Sequence, residues 1–183
     1  MNRFYALALL ASLAACTSTP TGNTADDWAD GSDRHPEPAT LHSMARIYVA
    51  QGQDDQAEAA LREILDQDPD FVPAYEELAR LYVRRNLLDG AVAALQIGVD
   101  RHANDAVLLN DLGICKLLQK DHAGAAVCFT RAAALSPDDS RPRANLALVL
   151  ALQGRDDEAL ALWQQVVPPD EAAKNLEVAR QAR

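Results

Sequence analysis

Three cysteines and four histidines carry the most reactive side chains in this chain, and their spacing limits what they can do. They are scattered singly. There is no CxxC pair and no HExxH, so neighbours in sequence cannot assemble a zinc site, a metalloprotease helix or a disulfide framework. His35 lies in a polar stretch, His102 and His122 fall at or beside expected turns, and only His42 is expected on an inner surface. A general base or a metal ligand needs partners that this spacing does not supply. No catalytic residue, metal site, cofactor or small-molecule substrate is therefore expected, and the chain reads as a non-enzyme. Cys115 and Cys128 flank an expected turn at Lys120, one five residues before it and the other eight after. An axial offset of roughly 4 to 5 Å between them is awkward for a disulfide, even where the compartment permits one. Two buried thiols are expected.

Cys16 stands in a different setting. Arg3 gives a positive start, and Phe4 to Leu13 (FYALALLASL) is an apolar stretch too short to span about 30 Å of hydrocarbon, as in a signal peptide. Leu13-Ala14-Ala15-Cys16 follows, and this resembles the lipobox of bacterial lipoproteins. The resemblance implies that residues 1–15 are removed, that the Cys16 thiol receives a diacylglyceryl group and that the new amine is acylated. Two or more acyl chains anchor stably where one does not. Thr17 rather than Asp after the cysteine resembles lipoproteins sorted to the outer membrane, facing the periplasm.

The 183 residues carry 17 Lys plus Arg against 27 Asp plus Glu, a formal charge of -10, which argues against a nucleic-acid grip because such binding draws on clustered cations. Aromatic residues make up only 5% of the chain, and Ala and Leu dominate the apolar part, a composition that favours helices packed through small residues. Residues 16–37 lack a hydrophobic period, are rich in Thr, Ser, Gly and Pro, and read as a flexible acidic tether with Trp28 as an incidental linker aromatic.

Beyond residue 38 the sequence repeats with a period of 34. Ala57, Ala91, Ala125 and Ala159 are equivalent, as are Ala45, Ala79, Gly113 and Ala147. Leu61, Leu95, Phe129 and Trp163 form a bulky column, and Gly52, Asn86, Lys120 and Gly154 a turn column. Apolar residues recur at helical spacing on both sides of each turn, so each unit is a helical hairpin that must stack on its neighbours. This pattern resembles the tetratricopeptide repeat (TPR) family. The match runs through Leu41, Met44, Ala45, Tyr48, Ala57, Leu61, Ile64 and Pro69 in the first unit. Gly98 and Ala103, Lys116, and Arg143 depart from it in the second, third and fourth units. The expected fold is all-α: a TPR solenoid of four hairpins at 38–71, 72–105, 106–139 and 140–169, then a capping helix at 170–183. In that helix Asp170 is expected as the cap, with Ala173, Leu176 and Ala179 on the buried face. The RNA-binding class of similar repeat length is disfavoured by the acidity.

The TPR resemblance implies a concave face built from the first helix of each hairpin. In the first two units its positions hold His42, Arg46, Glu76, Arg80, Val83 and Arg84. In the last two they hold Val107, Asn110, Ile114, Leu117, Leu118, Arg141, Leu148 and Leu152. A cationic half thus meets an apolar half, which suggests a protein or peptide partner with carboxylates at one end and apolar anchors at the other. Glu58 is expected to face outward. Lipobox, tether and the segments LLNDLGICKLLQKDHAGAA, RPRANLALVLALQGRDDEALAL and VVPPDEAAKNLEVAR together resemble the TadD family of tight-adherence (Flp/Tad) pilus assembly lipoproteins. That resemblance implies a partner such as a secretin or another pilus assembly component. The alternative is a periplasmic TPR adaptor for envelope or peptidoglycan-enzyme complexes. Replacing Cys16 with Ala is expected to abolish incorporation of a clickable fatty acid, and a wild-type protein that takes up no label refutes lipidation.

Overall fold

The computed structural model describes residues 36–183; Cys16, Trp28 and His35 lie outside the described residues. Period-34 patterning becomes period-34 geometry. Helices α1 (Pro38–Ala50), α3 (Val72–Arg84), α5 (Ala106–Leu118) and α7 (Ser140–Leu152) start 34 residues apart. So do α2 (Asp54–Gln67), α4 (Leu88–Arg101), α6 (His122–Leu135) and α8 (Asp156–Trp163), and α9 (Pro169–Gln181) closes the chain. No strand occurs among the described residues.

Each hairpin turns in the same way. Gly52, Asn86, Lys120 and Gly154 all take positive φ, at 72°, 58°, 65° and 84°. The amide one residue further on donates back across the last turn of the first helix: Gln53 to Tyr48, Leu87 to Tyr82, Asp121 to Lys116 and Arg155 to Leu150, at 2.8–2.9 Å. These bonds, with those from the amides of Gly52, Asn86, Lys120 and Gly154 to the carbonyls of Val49, Val83, Leu117 and Ala151, form the Schellman arrangement that satisfies the terminal carbonyls of a helix. Glycine adopts the left-handed conformation freely and asparagine tolerates it, whereas Lys120 holds it at a steric cost. Starts are secured locally as well. Asp105 accepts from the amides of Val107 and Leu108, Asp121 from Gly124, and Asp139 from Arg141.

Inside each hairpin the helices cross at the small columns. Ala45, Ala79, Ala147 and the whole column Ala57, Ala91, Ala125, Ala159 are buried, as are Leu61, Leu95, Phe129 and Trp163 opposite them. The third hairpin shows how tight this fit is. A Cβ placed on Gly113 would stand 2.6 Å from Cε1 of Phe129, so glycine on α5 makes the room that the larger ring on α6 takes. The second hairpin makes a related trade, because Gly98 lies against the ring of Tyr75, at 3.1 Å from the same hypothetical Cβ. That contact explains why Gly98 replaces the larger residue found at this position in the neighbouring units. Arg143, which departs from the bulky pattern, donates to the Pro137 carbonyl at 2.7 Å, just as the Tyr75 hydroxyl donates to the Pro69 carbonyl at 2.8 Å. The two side chains thus anchor equivalent loops by different chemistry.

Stacking joins the hairpins into one apolar interior running from α1 to α6, with Ala125, Phe129 and Val149 linking α6 to α7. Leu81, Cys115 and Val149 show what stacking does, since each is covered by the preceding hairpin, while the equivalent Ile47 in the first hairpin remains 55% exposed. At the other end α9 supplies a cover, packing Ala172, Leu176 and Ala179 against α7 and α8. The sequence expectation differs in two details. Ala173 is exposed and Ala172 takes its place, because steps of four and then three residues keep one face toward the core. Pro168 rather than Asp170 occupies the N-cap position, and Asp170 lies in the first turn, where its charge suits the helix dipole. Arg180 and Arg183 both reach Asp156 at the start of α8, which fastens α9 by its far end. These two arginines hold the Asp156 carboxyl below its ordinary range.

Helix α8 is shorter than α2, α4 and α6 because Pro168-Pro169 bars continuation. The chain leaves α8 through tighter bonds, Gln165 to Leu162 and Val166 to Trp163. Gly113→Ala is expected to destabilise the protein by about 1–3 kcal/mol through overpacking, despite a helix-propensity gain of about 1 kcal/mol. Adding Phe129→Leu should recover part of that loss in thermal denaturation followed by circular dichroism; a fully stable Gly113→Ala single variant refutes the coupling.

Candidate peptide-binding groove

The first helices of successive hairpins stand side by side, so residues five, six and nine of each unit share one face. Direct bonds tie this face together. His42 on α1 meets Glu77 on α3 at 2.9 Å, with its ring edge-on to Phe71 at 5.2 Å between centroids. The side-chain amide of Asn145 on α7 donates to Oδ1 of Asn110 on α5 at 3.0 Å. Asn110 is thus a buried strut and not a presented side chain, although its sequence position is one that faces the groove.

The arginines expected to make one half cationic are mostly engaged. Arg80 donates to Glu76 at 2.8 Å, and Arg84 is paired with Asp54 at the start of α2. Arg141 folds back on Asp139, the cap of its own helix, at 2.8 Å. Arg46 is exposed and has no ion-pair partner among the described residues. The cationic half therefore presents less free charge than its sequence implies, because α3 itself and the start of α2 bring acids into reach.

The apolar half also narrows. Leu117, Leu148 and Val83 are half-buried and pack against the core, and Leu152 is half-buried at the end of α7. Val107, Ile114 and Leu118 remain exposed, at 43%, 39% and 48%. They lie on one helix, with Ile114 and Leu118 one turn apart.

Between α3 and α5 opens a cavity of about 400 Å³, floored by Leu95 of α4 and lined by Glu76, Ala79, Arg80, Val83, Arg84, Asp111, Ile114 and Cys115. A smaller one of about 240 Å³ lies between α1 and α3, with Arg46, Arg80 and Arg84 on its walls. Asp111 is the wall residue that sequence reasoning missed. It occupies the sixth position of its unit, beside those assigned to the inner face. The signal was available in the His42–Glu77 and Asn110–Asn145 spacing, but only the contact geometry gives it meaning. Burial pushes the Asp111 carboxyl up, against the hydrogen bond from Asn110 and the charges of Arg80 and Arg141. Burial also pushes Glu76 up, and the charge of Asp111 adds to it while Arg80 opposes. Cys115 is a free thiol raised to about 11 by burial, and Cys128 is free and raised chiefly by burial too, so both are inert at neutral pH.

Glu58, expected to face outward, sits in a network on the opposite side of the hairpins. It accepts from the Tyr82 hydroxyl at 2.8 Å and pairs with Arg62 and Arg85. Among the described residues no group of three or more His, Cys, Asp and Glu side chains is placed to hold a metal ion, and no helix is long and apolar enough to cross a membrane.

Sequence models described as tetratricopeptide repeats match residues 38–81, 76–140 and 116–179, which together run from α1 into α9. The chain belongs to the tetratricopeptide-repeat family. Solved structures share its fold. The crystal structure of MamA matches with a TM-score of 0.69 at 20% identity, covering 79% of this chain and 81% of that one. YrrB, described as a TPR protein with an unusual peptide-binding site, matches at 0.64 and 21% identity, covering 78% and 75%. The pilF protein of Pseudomonas aeruginosa matches at 0.66 and 21% identity, covering 78% and 67%. Likeness at these identities is one of fold. No curated protein matches the chain in sequence.

Raised carboxyl pKa values fix the sign of a pH effect. A group that holds its proton more tightly folded than unfolded subtracts stability at neutral pH, and that loss is relieved as pH falls through its folded value toward the unfolded one. Asp111→Asn is accordingly expected to melt above wild type at pH 7, with the difference closing below about pH 4. A variant that melts below wild type at pH 7 overturns this account of Asp111.

Proposed function

We propose that this protein is a non-enzymatic assembly lipoprotein whose inner face binds a segment of another envelope protein. The observation that carries the reading is the exposed apolar stripe Val107, Ile114 and Leu118 beside an open cavity, on the face built by the first helices of a TPR stack. A folded monomer gains nothing by exposing such a stripe next to unfilled space, whereas a partner segment gains by covering both. Attachment through Cys16 to the outer membrane, on the periplasmic side, fits the lipobox and the Thr that follows it. The resemblance to the TadD family makes the setting a Tad/Flp pilus or related secretion apparatus, with a secretin or another assembly component as the partner and help in its localisation as the task. The likeness to pilF supports the fold in this reading and nothing finer.

Deleting the gene is expected to abolish pilus display while leaving the pilin synthesised. Complementation with an Ile114→Ala, Leu118→Ala variant should fail, since truncating a buried apolar anchor costs about 1–3 kcal/mol of binding. Lys174→Ala, on an exposed part of α9, should restore piliation. Unchanged piliation in the deletion strain rejects the pilus setting, and full rescue by the groove variant rejects the groove.

A further inference from the structure

The inner face contains one junction that its own residues leave open. Position five of one unit meets position six of the next, 35 residues on: His42 bonds Glu77, and Asn110 bonds Asn145. The equivalent pair between α3 and α5 is Glu76 and Asp111, also 35 apart, and two carboxylates cannot close it in the same way. Glu76 turns instead to Arg80. Asp111 keeps a long contact of 3.5 Å from Asn110 and has no ion pair among the described residues. The cavity of about 400 Å³ opens at this junction, with Ala79, Val83, Leu95 and Ile114 as apolar walls. Its volume falls within the roughly 300–1,000 Å³ of small-ligand sites.

We propose that this cavity is a specificity pocket of the groove that takes a cationic anchor, an Arg or Lys side chain of the partner segment, with its aliphatic stem between Val83 and Ile114 and its head at Asp111 and Glu76. The inference rests on the reading of the inner face as a peptide site and gives that site a chemistry. Charge complementarity selects the occupant. A carboxylate arriving here finds Arg80 and Arg84 already engaged by Glu76 and Asp54. A guanidinium or ammonium group finds Asp111, a half-buried carboxylate that feels the charges of Arg80 and Arg141 but has no ion pair among the described residues. Burial has raised both acids toward the neutral form, and a cation seated between them restores the charged form. The long aliphatic stems of Arg and Lys suit a site that is apolar along its walls and charged at one side.

The test uses small probes of side-chain size: n-butylguanidinium, neutral pentanamide and pentanoate, each titrated at constant ionic strength into 15N-labelled protein and followed at the amides of Glu76, Asp111 and Ile114. Butylguanidinium is expected to bind about tenfold more tightly than pentanamide, with pentanoate weakest. Asp111→Asn should erase that preference, and Glu76→Gln should reduce it. Lys174→Ala should alter none of the three affinities. Equal affinities, a preference for pentanoate or a preference that survives in Asp111→Asn overturns the proposal. Absence of any shift at these amides also overturns it. These outcomes leave the groove itself standing as long as complementation still depends on Ile114 and Leu118; loss of that dependence is what removes the groove.

Discussion

The close approach of the two helices within each hairpin governs the rest of the molecule. Ala and Gly at the crossing let the backbones come together, and a bulky residue from the second helix then fills the space left beside them. The limit of this arrangement is visible at Gly113, where even a methyl group would intrude on Phe129. Because the crossing consumes the small residues, each hairpin is left with broad apolar flanks that it cannot bury alone. Stacking follows from that, and stacking in turn sets the first helices side by side. The inner face is thus a by-product of hairpin closure, positioned by the same turn geometry at Gly52, Asn86, Lys120 and Gly154.

A repeating scaffold gives every junction the same geometry but not the same chemistry. Where the facing residues are His42 and Glu77, or Asn110 and Asn145, the junction is closed by a hydrogen bond. Where they are Glu76 and Asp111, Glu76 bonds Arg80 on its own helix instead, and the space beside the two acids is the larger of the two inner-face cavities described. The ends differ for a related reason. Among the described residues no hairpin precedes Ile47 to cover it, whereas the final hairpin is covered by α9, fixed through Arg180 and Arg183 to Asp156.

Electrostatics on the inner face also depends on the neighbours more than on the residues themselves. Counting Arg46, Arg80 and Arg84 as a cationic half treats each side chain as solitary. Arg80 is answered from its own helix and Arg84 from the preceding hairpin, and pairs of this exposed kind are individually worth little to stability. An arginine already engaged in this way also offers less to an incoming anion.

The sequence by itself determined the helices, the 34-residue period, the turn positions and the small and bulky columns. These follow from local rules: helical spacing of apolar residues, the conformational needs of a left-handed turn and the volume available at a helix crossing. It also carries the stretch from Phe4 to Cys16 that resembles a lipoprotein leader, a linear pattern that needs no fold to be read. Tertiary structure decided which groove residues are free. Asn110 became a strut, Leu117 and Leu148 came to rest half-buried against the core, Ala172 replaced Ala173, and Asp111 entered the cavity wall. Periodicity assigns a residue to a face of its own helix. Whether that face is bonded, buried or open depends on side chains brought alongside from another repeat, and those distances are set only when the hairpins stack.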